Sequence, residues 1–496
     1  MSVVVKTPTK AYISSPNLPE IERFLTYNNS SHSFAYKKHL AAQWLKERNP
    51  IKWKEEADIL RAKIKVCLMF KDSGGTYIRP GSIPYLIKEG LIQASEIKSE
   101  VNYPVGKPYV WKHQFPFELY PYQKESVDLL LKEKHGSVEL ATGTGKTAIL
   151  ITIAQKLGLK TIIVTPSANI FNAILKDCKR MFGEKNVGGV GDGWKEYGRT
   201  LTVAIAKSLT MLEEGSEQWK DVQANKVMLI DETHGFAAET LEKVCNGSLG
   251  DVPYRFFFTG TLSRGDNAQK LLESIVGKTV KTVLTAEAVR GGFIANHEFR
   301  IVPTRSENHT YSNDAIKMKR EHALYNPSVN FLMAKMANAF WEERKESTLI
   351  LVSELSQIQE IVKHLKVPFG YAHSSANKAE LKEMNLEKVD VEEQLERFNK
   401  GEIKVLVSTS VLNTGANVFG VHNLIMGQFG SSEVICKQSV GRALRLLHKS
   451  KYKNFHKPIE KAVIWDFDII NVPILKKQLE TRISYYEDSG VPIRWL

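Results

Sequence analysis

The stretch Leu140-Ala141-Thr142-Gly143-Thr144-Gly145-Lys146-Thr147 decides the fold. It stands between a short apolar run, residues 137–140, and a stretch with helical spacing, so it reads as a glycine-rich strand-to-helix turn. Glycines let main-chain N–H groups close on phosphate oxygens, and the start of the following helix adds a favourable dipole. Thr142, Gly143, Thr144 and Gly145 are the expected cradle for the phosphates of a nucleotide. Lys146 is placed to reach the β- and γ-phosphates, and the Thr147 hydroxyl to ligate Mg2+. The strict form of such a loop has Gly where this chain has Leu140. Taken alone, the segment could still be a plain glycine-rich turn.

Around it the chain alternates short apolar strands with helical stretches. The strands expected are residues 137–140, 161–165, 201–204, 227–230 and 256–259, and later 348–352, 405–408, 423–426 and 462–465. Such alternation means βαβ units and a parallel sheet covered on both faces. Two α/β domains follow, separated by a less regular region over about 280–330, with a boundary near residue 303.

The second motif is Asp231-Glu232-Thr233-His234, directly after the apolar run Val227-Met228-Leu229-Ile230. A strand ending in Asp presents that carboxylate at the carboxyl edge of the sheet, where ligands of α/β folds bind. Asp231 can hold Mg2+ there, through water, and Glu232 can act as general base towards the attacking water. A capping Asp followed by a solvated Glu is the plain alternative. The loop at 140–147 tips the balance, because one site then carries a phosphate cradle, a metal ligand and a base.

The totals fit a soluble intracellular protein with a basic surface. The chain has 496 residues, of which 43% are hydrophobic and 25% charged, so disordered, collagenous and coiled-coil classes are excluded. Its four cysteines form no CxxC pair, which argues against a zinc ribbon or a disulfide framework and suits a reducing cytosol. No apolar run approaches the ~18 residues of a membrane span, and no signal pattern opens the chain. Lys and Arg number 68 against 55 Asp and Glu, a net charge of +13 that favours a polyanionic partner. Residues 1–112 hold 18 basic and 10 acidic side chains, hence most of that excess.

This order of motifs resembles the superfamily 2 helicases and translocases, motors built on two RecA-like domains. Asp231-Glu232-Thr233-His234 is similar to the DExH form of the family's second motif, and Thr259-Gly260-Thr261 to its third, which couples hydrolysis to movement. His234, Thr259 and Thr261 are the coupling residues that this likeness implies. Tyr122-Gln123 resembles the adenine-reading glutamine motif, with Tyr120 or Phe117 as a stacking partner. Gln438-Ser439-Val440-Gly441-Arg442-Ala443-Leu444-Arg445 is similar to the QxxGRxxR motif. Arg442 and Arg445 lie three apart, on one helix face, and the resemblance makes them arginine fingers, with Gln438 beside them. Ser408-Thr409 and Asn413-Thr414-Gly415-Ala416-Asn417 resemble the fifth motif, giving Gly415 to the nucleotide and Thr409 to the strand; Asn417 stands where the family often has Asp. His373-Ser374-Ser375 resembles the loop upstream of it. The likeness covers about residues 113–470.

The resemblance also implies one strand held across the tops of both domains, mostly through phosphates. Thr165-Pro166-Ser167 looks like the first contact motif, and Lys207 and Ser208 belong to the next, where Ile205 replaces a common Thr. Contacts of this kind read sequence weakly and respond strongly to salt.

Three regions are therefore expected: a small basic α+β domain at 1–112, a RecA-like ATP-binding domain at 113–303, and a second RecA-like domain at 304–496. The first opens with polar, loose sequence, continues in helices over residues 20–60 with aromatics among lysines, and then shows a strand at 62–70 and a hairpin turn at Asp72-Ser73-Gly74-Gly75. Trp44 and Trp53 read as core residues, with the nearby lysines as a duplex-facing surface. A small basic domain ahead of the motor is similar to the arrangement in UvsW-type phage helicases and their RecG-like relatives, which process branched DNA. That likeness and the compact size point to a phage origin, and so to host cytoplasm. The expected activity is an ATP-dependent helicase or translocase that unwinds or branch-migrates forked and junction DNA, with no obligate protein partner and no membrane. An RNA helicase, a translocase that separates no strands and a restriction-system motor are the rivals, the last lacking any nuclease motif here. A small-molecule kinase would not need the second α/β half, and a degenerate ATP site would not keep Lys146, Asp231 and Glu232.

Overall fold

The computed structural model describes residues 2–496 apart from 114, 116, 117, 261–268, 313, 374–377, 410–417, 432–435, 437, 438, 442–444, 448 and 449. Its contacts divide the chain into two compact units, Met1–Leu140 with Lys146–Thr282, and Ala141–Gly145 with Val283–Leu496.

The first unit is built on an eight-stranded sheet in the order Trp194–Lys195, Val187–Gly191, Leu201–Ile205, Thr161–Thr165, Val227–Ile230, Tyr254–Thr259, His135–Leu140, Thr279–Val283. Pairing is parallel from Val187–Gly191 through to His135–Leu140, and Trp194–Lys195 folds back antiparallel on Val187–Gly191. Thr161–Thr165, Val227–Ile230 and Tyr254–Thr259 are buried at every position, as strands covered on both faces must be. The covering helices are amphipathic. Ala168–Phe182 buries Ile170, Phe171, Ile174, Leu175 and Cys178 and turns Asn172, Lys176 and Arg180 to solvent. Because the strands run parallel, the segments after Leu140, Thr165, Ile230 and Thr259 all leave the sheet at one edge.

Packed within the same unit is a five-stranded, largely antiparallel sheet in the order Met69–Asp72, Gly75–Ile78, Lys10–Ser14, Ser2–Thr7, Ile97–Ser99. The opening of the chain is thus a hairpin, not loose sequence: Val3, Val5, Ala11 and Ile13 alternate inwards, and the Thr7 hydroxyl accepts the Lys10 N–H at 3.0 Å across the turn. The single strand expected at 62–70 is two strands. Lys65–Cys67 pairs with Thr26–Asn28, and Met69–Asp72 joins the larger sheet. Helices Leu18–Leu25, Ser30–Ala41, Gln43–Arg48 and Pro50–Ala62 occupy the stretch read as helical. Trp53 is half-buried between two of them, stacked on His39 at 5.6 Å and donating its indole N–H to the His39 carbonyl at 3.2 Å. The side chain of Trp44 lies outside the described residues.

One continuous apolar core joins this layer to the eight-stranded layer, with Val3, Ile21 and Ile83 in the same cluster as Leu271, Ile275 and Val276. Arg79 crosses the join, paired with Glu242 and donating to the Ser274 hydroxyl at 3.2 Å; burial pushes its pKa down and Glu242 opposes that. The Tyr85 hydroxyl donates to the Gly277 carbonyl at 3.0 Å.

The second unit carries a seven-stranded sheet in the order Phe369–Ala372, Val405–Ser408, Thr348–Val352, Asn423–Gly427, Ala462–Ile469, His297–Thr304, Ile493–Trp495, paired in parallel throughout. The strand His297–Thr304, in a stretch read as irregular and assigned to the first RecA-like domain, therefore belongs to this sheet. Its buried Glu298 is matched by Arg300, Lys461 and Arg494. Asp466 receives a two-pronged bond from Arg482 at 2.7 and 2.9 Å and the Tyr486 hydroxyl at 2.8 Å, which ties helix Pro473–Asp488 to the sheet. The two parallel sheets are RecA-like. No helix among the described residues is long and apolar enough to cross a membrane.

Candidate active site and strand contacts

Strand His135–Leu140 delivers the loop to the carboxyl edge of its sheet. The Leu140 side chain is fully buried, so the departure from Gly at this position is a core residue, and its carbonyl accepts the Lys146 ammonium at 3.3 Å. Within the loop, the Thr144 hydroxyl donates to the Ala141 carbonyl at 2.6 Å. Gly143 and Gly145 have φ of 89° and 79°, the left-handed region that a side chain would strain. Lys146 opens helix Lys146–Leu157, with Thr147 half-buried behind it.

Asp231 follows strand Val227–Ile230, and its N–H donates to the Val164 carbonyl of the neighbouring strand at 2.9 Å. Its side chain is 5% exposed, and Oδ1 has no hydrogen-bond partner among the described residues. Burial pushes this carboxyl up to about 7, Glu232 adding to the shift and Lys146 opposing it. A buried carboxylate oxygen without a donor is suited to a cation. Glu232 sits at φ 47°, ψ 51°, strained for a residue with a side chain, and faces Lys146 with Oε1 3.5 Å from Nζ. His234 Nδ1 lies 2.8 Å from the Thr259 hydroxyl and 3.5 Å from Glu232 Oε2. Between them the buried Thr233 hydroxyl donates to the Phe258 carbonyl at 3.1 Å. The structure thus brings Lys146, Asp231, Glu232, His234 and Thr259 together. Sequence reasoning passed over Thr233, whose sign is a small hydroxyl residue between the two motif residues.

Two family models match the chain. That for the res subunit of type III restriction enzymes covers residues 116–264, and that for the helicase conserved C-terminal domain covers 330–446. A DNA 3'-5' translocase, XPB2, from Sulfurisphaera tokodaii is 23% identical over 423 residues, which is 80% of this chain and 90% of that protein. The ATP-dependent DNA helicase uvsW of Enterobacteria phage T4 is 22% identical over 381 residues, 73% of this chain and 71% of that protein. The chain belongs to the superfamily 2 helicases. Its fold is also that of a fragment of a putative HsdR subunit of a type I restriction enzyme from Vibrio vulnificus YJ016, with TM-score 0.53 and 18% identity over 76% of this chain and 68% of the fragment.

As a superfamily 2 helicase the chain hydrolyses ATP and acts on nucleic acid. The remaining candidate residues fall into two groups. Gln123 is buried on helix Pro121–Glu133, its side-chain oxygen accepting the Tyr120 N–H at 2.9 Å, so part of its amide serves the helix start. The Thr165 hydroxyl is also turned inwards, donating to the carbonyls of Ala204 at 3.3 Å and Ser167 at 3.4 Å. Pro166 is half-buried, and Lys207 and Ser208 stand on the short helix Ala206–Leu209 with Lys207 exposed. The Ser167 hydroxyl, from the same contact motif, is buried without a partner among the described residues. In the second unit Thr409 follows strand Val405–Ser408, its hydroxyl likewise unpartnered among the described residues. Arg445 is half-buried with its guanidinium 6.0 Å from the Phe419 ring, and burial lowers its pKa to about 10. Thr261, Gly415, Gln438 and Arg442, together with Phe117, Ser374, Ser375 and Asn417, lie outside the described residues.

Proposed function

We propose that this chain is a DExH-type, ATP-dependent DNA motor that unwinds or branch-migrates forked and junction DNA in the cytoplasm. The observation that carries the motor assignment is the contact chain Lys146–Glu232–His234–Thr259, which runs from the phosphate loop through the base to the end of the next strand. DNA is favoured over RNA by the relatives named above, a DNA translocase and a DNA helicase. Residues 1–112 are assigned to DNA arms, 113–282 to ATP and 283–496 to the second half of the motor. The basic excess of residues 1–112, with Lys37, Lys38, Lys52 and Lys54 exposed on their helices, supports the first of these.

In this reading Thr142, Gly143, Thr144 and Gly145 present N–H groups to the phosphates, and Lys146 neutralises charge on the β- and γ-groups. Thr147 and the unpartnered oxygen of Asp231 would hold Mg2+, which neutralises phosphate charge when bound. Glu232 takes the proton of the attacking water. Arg442 and Arg445 stabilise transition-state charge, with Gln438 beside them, and Gln123 and Gly415 flank the nucleotide. His234 carries the state of Glu232 to Thr259 and Thr261. Pro166, Lys207, Ser208, Thr409 and the segment after Thr165 grip phosphates of the tracking strand, and alternate grip becomes a step, 3′ to 5′ by likeness to the translocase.

The deciding experiment is ATP-dependent conversion of a synthetic four-way DNA junction beside a tailed duplex of equal length and a matched RNA duplex. Preference for the junction is expected. Preference for the tailed duplex would leave a strand-tracking helicase, and a response to RNA alone would overturn the assignment to DNA.

A further inference from the structure

Helix Ala168–Phe182 leaves the carboxyl edge of its sheet just after Thr165 and runs back across the sheet to the start of strand Val187–Gly191. Along its solvent side it forms one wall of a groove of about 960 Å3. The chain segment 110–113 forms a second wall, held by the Lys112 N–H donating to the Met181 carbonyl at 2.8 Å. The hairpin carrying Trp194 forms a third. The groove does not include Lys146, Asp231, Glu232 or the contact residues Lys207 and Ser208.

Its chemistry is two-sided. The floor is apolar, with Leu175 beside Phe182 and Trp111 stacked on Phe182 at 5.2 Å and 22° between planes. The rim is cationic. Lys112, Lys176, Lys179, Arg180 and Lys185 line it against a single lining carboxylate, Glu184. Glu196 lies 3.5 Å from Lys179 and Asp177 3.3 Å from Arg180, and Lys112, Lys176 and Lys185 stand exposed. Trp194 is 39% exposed, with the Lys179 ammonium 3.9 Å from the centre of its ring. An aromatic face ringed by lysines attracts flat, electron-rich, negatively charged ligands.

A single nucleic-acid strand offers both phosphates and open base faces, whereas a duplex hides its base faces and would meet the cations alone. The groove is at the upper end of the roughly 300–1,000 Å3 of small-ligand clefts, which suits a nucleotide-sized piece of strand. We propose that it is a second single-stranded DNA site, on the flank of the first RecA-like sheet. Trp194 stacks one base, and Lys176 and Arg180, one helical turn apart, hold the phosphates beside it. It gives the motor a grip on single strand away from the edge where ATP is turned over. The choice of DNA rests on the proposed function; the test reads binding alone, so either can fail without the other.

The test is the binding of a fluorescent oligothymidylate to the full-length protein across ~50–200 mM salt, the range in which phosphate contacts show themselves. The variants are Lys176→Glu with Arg180→Glu, Trp194→Ala and Trp194→Phe, each checked by thermal unfolding. The double reversal should weaken binding at least about tenfold and lower the slope of log affinity against log salt by about 1.4, two single-strand phosphates at ~0.7 each. Trp194→Ala should cost about 5- to 150-fold, the range for losing one base stack, and Trp194→Phe should restore most of it. Unchanged affinity and slope in the double reversal would overturn the proposal. So would an equal loss on blunt duplex, or Phe performing no better than Ala. Cross-linking of a 5-iododeoxyuridine strand to the unaltered protein gives a readout independent of folding. Adducts at Trp194 or Trp111 support the site, and adducts confined to other segments refute it.

Discussion

The His234 imidazole and the Thr259 hydroxyl meet at 2.8 Å, joining the residue two positions after the candidate base to the end of the adjacent strand. In the proposed reading this contact is a short path from hydrolysis to movement. His234→Ala and Thr259→Val should each leave ATPase within about fivefold of the unaltered protein, while strand displacement per ATP falls at least about tenfold. A double-mutant cycle on displacement should show strong coupling, since the two side chains share one bond. Equal losses in ATPase and displacement would argue against a coupling role.

Removing the cradle's cation and removing its base should separate binding from chemistry. Lys146→Ala is expected to weaken ATP binding and abolish turnover. Glu232→Gln should bind ATP normally and lose about 10²–10⁴ in kcat, the usual worth of a placed general base. Filter binding of labelled ATP beside a phosphate-release assay distinguishes the two.

Arg442→Ala should spare ATP binding and lower kcat by about 10³ or more, the scale of an arginine finger. Unchanged turnover would remove that role, which here rests on sequence likeness.

Asp231 should give an unusual pH response. Its folded pKa, about 7, lies above its ordinary value of 3.8. The folded, nucleotide-free protein therefore binds this proton more tightly than the unfolded chain. The associated stability is present at low pH and is lost as pH rises towards and through 7. Asp231→Asn should accordingly raise the nucleotide-free Tm at pH 8, with each kcal/mol moving it by roughly 2–4 °C, raise it by less at pH 5, and change it little at or below about pH 4. The same variant should lose ATPase. In the unaltered protein, binding of Mg2+ with nucleotide should release close to one proton near pH 6, measurable by calorimetry in buffers of different ionisation heat.

Deleting residues 1–112 is expected to lower Tm sharply or to abolish soluble expression, because Val3, Ile21 and Ile83 share a core with Leu271 and Ile275. The role of this layer is better read from Lys37→Glu with Lys38→Glu, two exposed sites. These changes should reduce junction binding at least about fivefold with Tm within a degree or two. An unchanged junction affinity would move the DNA arms elsewhere.

The phosphate loop and the Asp231–His234 segment were legible in the sequence because their chemistry is local: glycines, a lysine and two carboxylates at fixed spacing after apolar strands. What escaped was decided at a distance. The hairpin Ser2–Thr7 with Lys10–Ser14 looks polar because its lysines and threonines face outwards, and only the alternation of Val3, Val5, Ala11 and Ile13 marks it. His297–Thr304 carries a buried Glu298 that looks incompatible with an inner strand until Lys461 and Arg494 arrive from far along the chain. Gln123 and Thr165 were read for their functional groups, and the structure commits a part of each to the backbone.

The left-handed backbone at Glu232, beside a carboxyl that burial disfavours, has an evolutionary consequence. Replacement of Glu232 by glycine or asparagine would relieve a costly conformation, and Asn at 231 would relieve a costly charge. Each change is reachable by mutation, and each would harden the protein against heat while silencing it. In the proposed reading, a screen that rewarded survival at high temperature alone would therefore converge on motors that no longer turn over ATP.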